Sequence, residues 1–228
     1  MGVHTKTSPP EINDALAQWE RPFYLPTWAQ LLTAAPRAYS RDVQIFGQQE
    51  PAEYLYKVVS GAVRTLSLLR DGRRHVAAFY LAGDFFGYDG DNIHTLSAEA
   101  VCDAKILVIK RTVLAVLAEH DKDIADRLRD MTSGELARAQ ARVTLLIKNS
   151  SERVAVFLLE MADRSPKTKS IELLMSRGEI ADHLGLTIET VSRSFAKLEA
   201  TKAIARSGRH HVKVRNRAAL ERISAASA

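Results

Sequence analysis

The chain has 228 residues, 46% hydrophobic and 26% charged, with a net charge of +5, an ordinary globular composition that fits one or two domains. No apolar run approaches the ~18 residues needed to span a bilayer. Residues 1–10 lack the apolar core of a signal peptide, and Lys6 stands where a myristoylation site needs Ser or Thr, so a cytoplasmic protein with no membrane partner is expected. The one cysteine, Cys102, excludes an internal disulfide, a thiolate-rich zinc site and a cysteine-ligated iron–sulfur cluster within one chain.

Residues 1–40 contain five prolines and read as an N-terminal arm with short helices, such as 28–34. Residues 41–118 form the next unit. Short β-rich runs at 54–59, 62–69, 75–80 and 100–109 are punctuated by glycines, and Asp71-Gly72 is a hairpin signal. This spacing predicts a β-roll or sandwich, with Cys102 as an inert core residue. A short helix is predicted at 111–120. Residues 121–149, with no proline and one glycine, predict a single long helix of 29 residues inside a unit spanning 119–149. It carries two stripes. Ile124, Leu128 and Met131 face the β-roll, whereas Leu136, Ala139, Val143 and Leu146 step by 3, 4 and 3, a coiled-coil-like seam that wants a second copy of the helix.

The unit 150–228 differs in charge. Residues 1–150 hold 18 basic and 18 acidic side chains, and residues 151–228 hold 14 basic and 9 acidic, so the whole surplus lies in this last third. A basic unit beside a neutral one points to a polyanion partner. A helix at 151–164 and a loop at 164–170 lead to RGEIADHLGLTIETVSRSFAKL at 177–198. Ile180, Ala181 and Leu184 line one helix, Leu184-Gly185-Leu186 turns, Thr187 can cap the next helix, and Val191, Phe195 and Leu198 make its buried stripe. The opposite face carries Glu189, Thr190, Ser192, Arg193 and Lys197, which can touch bases or phosphates. Residues 204–215 read as a β-hairpin turning near Ser207-Gly208, a wing.

A β-roll, a long helix and a winged helix–turn–helix in this order resemble the CRP/FNR family of bacterial transcription regulators, over roughly residues 40–220. EYLYKVVSGAVRT, DGRRHVAAFYLAGDFFG and AEAVCDAKILVI are similar to the family's cyclic-nucleotide-binding-type domain, and E-x-x-S-R at Glu189, Ser192 and Arg193 is similar to its FNR/FixK branch. The resemblance implies an α+β fold: an N-terminal β-roll, a dimerisation helix and a C-terminal winged helix–turn–helix. It also implies a homodimer on double-stranded DNA reading a TTG…CAA-type palindrome, with recruitment of RNA polymerase through roll loops near 71–74 and 88–92. Arg193 can donate to guanine, Glu189 can accept from cytosine, and Ser192 can offer a hydroxyl or meet a thymine methyl. Arg177, Thr190 and Lys197, with Arg209, His210 and Lys213 in the wing, are the expected phosphate contacts.

Departures from the family are equally informative. There is no cysteine before Cys102 to ligate an oxygen-sensing cluster. Leu96-Ser97-Ala98 stands where cAMP binders carry Arg-Ser-Ala, so the cation facing the cyclic phosphate is missing. Ser194 fills a slot that is usually apolar. Lys202 replaces a glycine that ends the recognition helix, at a strain of about 1 kcal/mol if the left-handed conformation is kept. No cofactor is therefore expected. The alternative, a regulator gated by haem or another ligand, would draw on His75, His94 or His120. Asp84, Asp89 and Asp91 lie in a glycine-rich turn and read as solvated, and no enzyme motif stands out.

Overall fold

The computed structural model describes residues 28–32, 35–70, 72–89, 92–165, 170–208 and 210–225. The remainder of the arm, and Asp71, Asp91, Pro166 and Arg209, lie outside them. Of the helix expected at 28–34, α1 covers Trp28–Leu31.

Residues 37–110 form two four-stranded antiparallel sheets. β1 (Arg37–Tyr39), β8 (Ala104–Lys110), β3 (Tyr54–Ser60) and β6 (Phe85–Phe86) make one in that order; β2 (Gln44–Phe46), β7 (Ser97–Ala100), β4 (Ala62–Leu68) and β5 (Arg74–Leu81) make the other. The single run expected at 100–109 is in fact two strands. The bend at Val101–Asp103 carries the chain from one sheet to the other, because β7 pairs with β2 and β4 while β8 pairs with β1 and β3. Phe46, Tyr56, Tyr80 and Phe86 fill the interior between the sheets, with ring centroids 5.1–6.1 Å apart. Cys102 is partly buried, and burial pushes its thiol pKa up, consistent with an unreactive packing residue.

α2 (Arg111–His120) leads into α3 (Lys122–Leu145), whose N-terminus is capped by the Asp121 carboxylate accepting from the N–H groups of Asp123 and Ile124. α3 has 24 residues rather than the expected 29. Nothing in 146–149 breaks a helix by propensity. Instead Asn149 forms a capping box with Glu152 and starts α4 (Ser150–Arg164) on a new axis. Arg153 then clamps the junction, donating to the carbonyls of Leu146, Lys148 and Leu184 at 2.9–3.0 Å. As expected, Ile124, Leu128 and Met131 pack toward the roll, Ile124 fully buried and the other two against Leu55, Leu107, Ile109 and Leu114.

Beyond α4 come β9 (Ser170–Glu172), α5 (Arg177–Leu184), α6 (Ile188–Ala200), β10 (Ile204–Ser207), β11 (His211–Val214) and α7 (Arg217–Ser224). β9 was expected to be loop up to its first residue. It adds a third strand to the hairpin, pairing Ile171 with Val212.

This C-terminal unit is docked on the roll, so one hydrophobic cluster runs from Ala62, Val76 and Phe79 in the roll to Phe157, Ile180, Val191 and Phe195. That docking explains the burial of β4. Residues Ala62 to Leu66 are buried on both faces, one against the roll interior and the other against the helical unit, instead of alternating.

Candidate nucleic-acid interface

The helix–turn–helix is built from local signals. Ser176 caps α5, accepting from Glu179 N–H at 3.2 Å, while the Glu179 carboxylate accepts from Ser176 N–H at 2.6 Å. Gly185 ends α5 with φ +64°, a left-handed conformation that costs glycine nothing and turns the chain sharply. Thr187 caps α6, its Oγ1 accepting from Thr190 N–H at 3.2 Å. Ile180, Ala181, Leu184, Val191, Phe195 and Leu198 are all buried, as expected from their spacing. Ser194 is buried among them at 3% exposure. Lys202 keeps the left-handed conformation (φ 58°), so its strain of about 1 kcal/mol is present.

The outer face of α6 presents Glu189, Ser192, Arg193 and Lys197 to solvent, with Thr190 half-buried at its edge. Arg193 donates to Thr190 Oγ1 at 3.4 Å, too long a bond to hold it in place. The carboxyl of Glu189 is held below its ordinary pKa by its own backbone N–H at the helix start, then by the Thr187 hydroxyl and the nearby Arg193, so it is an anion and a pure acceptor. This face therefore offers a fork of donors and a fixed acceptor one helical turn apart, side by side.

A cleft of about 470 Å³ separates α6 from the wing, lined by Ser176, Arg177, Ser192, Arg206, Gly208 and His210. Arg177, expected at a phosphate, lies with its guanidinium 3.3 Å from the Phe195 ring centroid, and its Nη1 is buried without a hydrogen-bond partner among the described residues. Desolvation and neighbouring Arg206 lower its pKa to about 10. An anion entering the cleft would satisfy it. His210 is exposed at the wing, with its Nδ1 2.9 Å from the Leu173 carbonyl oxygen, and Lys213 is exposed on β11. Arg209 is outside the described residues. Arg206 was not singled out by sequence, although it lies in the same basic tail; in the fold it pairs with Glu199 and joins this cleft.

The four seam residues of α3 are separated from this face. Leu136, Val143 and Leu146 are 60%, 67% and 71% exposed, and Ala139 is exposed beside them. Leu146 lies one residue past the end of α3, as its C-cap. Ile147, 74% exposed, extends the stripe.

The roll offers little room beside Leu96, the position where the resemblance would put a cation for a cyclic phosphate. A space of about 160 Å³ beside Leu96 is lined by Phe46, Tyr80, Tyr88, Asp89 and Glu135, below the few hundred Å³ of ordinary ligand sites. Its charged groups are both carboxylates, the wrong sign for a phosphate. Asp89 was expected to be solvated. It instead lies 2.7 Å from Nδ1 of buried His94 and accepts from the Thr95 hydroxyl, and these bonds hold its pKa low. Asp84, likewise expected in solvent, is paired with Arg164; Asp91 is outside the described residues. His94 stacks on Phe46 at 3.6 Å, while His75 and His120 are exposed elsewhere.

Sequence reasoning missed the polar contacts that dock the helix–turn–helix on the roll. Arg64 of β4 is 2% exposed and donates to Glu99, Asp42 and, through Nη1, Glu179 of α5. Arg74 of β5 donates to Asp182 of α5 at 3.0–3.1 Å. His183 has its Nδ1 3.1 Å from the Val76 carbonyl oxygen, and burial lowers its pKa to about 4. The one local sign was a charged residue, Arg64, inside the apolar run AVRTLSL.

Residues 36–121 match the cyclic nucleotide-binding domain, and residues 152–223 match the Crp-like helix-turn-helix domain. A relative, the nitrogen fixation regulation protein FixK of Azorhizobium caulinodans, is 42% identical over 203 residues, covering 86% of this chain and 82% of that one. The chain therefore belongs to the CRP/FNR family of DNA-binding transcription regulators and is not an enzyme. Within that family it is of the FixK type. The structure of FixK2 from Bradyrhizobium japonicum is similar with a TM-score of 0.81 at 44% identity, covering 85% of this chain and 98% of that one. The transcriptional activatory protein AadR of Rhodopseudomonas palustris is 37% identical over 171 residues, 73% of this chain and 72% of that one. No helix among the described residues is long and apolar enough to cross a membrane.

Proposed function

We propose that the chain works as a cytoplasmic homodimeric activator that reads a TTG…CAA-type palindrome and recruits RNA polymerase through loops of the roll. In this reading the arm, roll, dimer helix and winged helix–turn–helix correspond to 1–40, 41–118, 119–149 and 150–228. The observation that carries it is the exposed face of α6. Glu189 and Arg193 lie one turn apart, solvent-facing, one a pure acceptor and the other a donor fork. A carboxylate on a surface that meets a polyanion is unfavourable unless a base donor meets it, so the pair fits sequence reading better than general DNA coating.

Two copies joined along Leu136, Ala139, Val143 and Leu146 would place their α6 helices in successive major grooves, about 34 Å apart. Ser192 meets a base edge, while Thr190, Lys197, Arg177, His210, Lys213 and Arg209 hold phosphates. Specific binding needs neither cyclic nucleotide nor iron–sulfur cluster. Leu96 in place of the expected cation, beside a small space whose charged groups are Asp89 and Glu135, supports the first, and a single cysteine supports the second. The test is selection of bound sequences from random DNA by protein purified in air. Recovery of a two-fold TTG…CAA motif supports the reading, and recovery of no motif refutes it.

A further inference from the structure

A cavity of about 590 Å³ lies where β5 of the roll, α3 and α4 meet, with His183 of α5 and Ser224 of α7 at its edge. Its wall is largely apolar, with Phe79, Ala137, Ala141, Leu145, Leu159 and Met161 facing in. It is separate from the small acidic space in the roll and from the cleft beside the wing. The α3 residues that line it (137, 138, 141, 142 and 145) are centred roughly 150° around the helix axis from the centre of the seam residues, with Arg142 at the near edge, about 40° from Leu146. A partner helix on the seam would therefore leave most of this wall uncovered.

Its charged groups are unequal. Arg138 pairs with Glu135 at 2.5 Å, Arg164 pairs with Asp84 and Glu160, and Asp163 is held by Arg217. Arg142 lines the same wall and makes no hydrogen bond or ion pair among the described residues. It is half-buried, and desolvation moves its pKa down. A guanidinium stays charged at neutral pH all the same. The cavity thus holds a half-buried guanidinium that bonds no anion directly among the described residues, with Glu160 of the same wall and Glu135 acting on it from farther off, beside a largely apolar wall.

The geometry points to a binding site for a small amphipathic carboxylate, its head accepting from the Arg142 guanidinium and its aliphatic body lying against Leu145, Leu159 and Met161. Arg–carboxylate pairing is bidentate and charge-assisted, and the partly apolar surroundings strengthen it relative to water. The acids of the wall, Glu160 and Asp163, are bonded to Arg164 and Arg217, so neither reaches the Arg142 guanidinium directly, although Glu160 still acts on it at a distance. An occupant would touch the roll, α3 and the first helix of the DNA-binding unit at once. It would stabilise the folded chain by mass action.

The experiment is calorimetric titration of the full-length protein with decanoate, and with decan-1-ol as the uncharged control, supported by thermal melts. One saturable decanoate site per chain is expected, with decan-1-ol bound at least ~10-fold more weakly. Arg142→Gln should weaken decanoate by about 10-fold or more, equivalent to about 1.4 kcal/mol, and leave decan-1-ol unchanged. Arg142→Lys, which keeps the charge and loses the fork, should fall between. Leu159→Trp, which fills the cavity, should abolish both. Absence of saturable uptake overturns the site. So does uptake that ignores both Arg142 and Leu159 substitutions, which would place the chain on the exposed seam instead. DNA affinity of Arg142→Gln, measured in parallel, should equal that of the wild type. Its loss would count against the DNA reading or the fold, not against the carboxylate site.

Discussion

Arg193→Ala is the perturbation that most directly tests how α6 reads DNA. In the free protein Arg193 is exposed and its one intramolecular bond, to Thr190 Oγ1, is 3.4 Å long. Removing it should change folding stability by no more than about 0.5 kcal/mol. On the DNA, a bidentate guanine contact is worth about 1–3 kcal/mol. A dimer makes two, so the palindrome should lose about 2–6 kcal/mol, roughly 30-fold to more than 10⁴-fold in affinity. The assay is fluorescence anisotropy at fixed salt, run as a cycle. Wild type and variant are each measured on the palindrome and on a duplex with the two G·C pairs replaced by A·T. If Arg193 reads those pairs, the variant should discriminate little between the duplexes, and the coupling should approach the whole loss. A further control separates reading from attraction. Lys197→Ala should weaken both duplexes alike and lower the salt slope by about one per phosphate released, whereas Arg193→Ala should mostly change preference. Additive effects in the cycle, with coupling below ~0.5 kcal/mol, would refute the assignment of Arg193 to base reading.

Glu189→Ala should relax selection at the cytosine partner while nonspecific affinity stays equal or rises, because a negative charge leaves the interface; a fall in nonspecific affinity measured on random duplex would contradict this. Val143→Glu should place like charges across the seam, costing several kcal/mol, and sedimentation should show monomers with a folded roll; a persistent dimer would put the seam elsewhere. Adding cAMP or cGMP should change palindrome affinity by less than a factor of about two, and a tenfold gain by either would overturn the reading of Leu96. His183 has a folded pKa of about 4 against an ordinary 6.5, so it is neutral in the native state and the unfolded chain binds the extra proton. Its contribution is fully present above pH 6.5. It is lost at up to about 1.4 kcal/mol per pH unit as pH falls toward 4. Denaturant titrations across that range should show the loss in wild type and a flatter profile in His183→Gln; equal profiles would contradict the burial argument.

Much of the DNA-reading unit was legible along the chain because its determinants are local. Gly185 supplies its own positive φ, Thr187 caps a helix beginning one residue later, and Val191, Phe195 and Leu198 share a face through helical period alone. The exposed apolar stripe on α3, proposed above as a dimer seam, was legible for the same reason. Local period could not say where α3 ends, since Asn149 stops it by starting the next helix rather than by breaking this one. It also could not separate β7 from β8, which read as one run until the sheets assign them to different partners. The carboxylates Asp84 and Asp89 looked solvated because their turn is glycine-rich, yet Arg164 and His94 reach them from elsewhere.

By itself the sequence determined the order of the units, the exposed polar face Glu189–Ser192–Arg193 and the absence of the Arg-Ser-Ala cation. Only the tertiary structure decided that Arg64 of the roll would meet Glu179 of the helix–turn–helix, 115 residues away. It also decided that β4 would be buried on both faces and that Arg142 would line a largely apolar cavity with no direct ion pair among the described residues. The physical reason is range. Caps, turns and stripes depend on neighbours within a turn or two, whereas these contacts exist only when two folded surfaces dock, and no local period carries the docking.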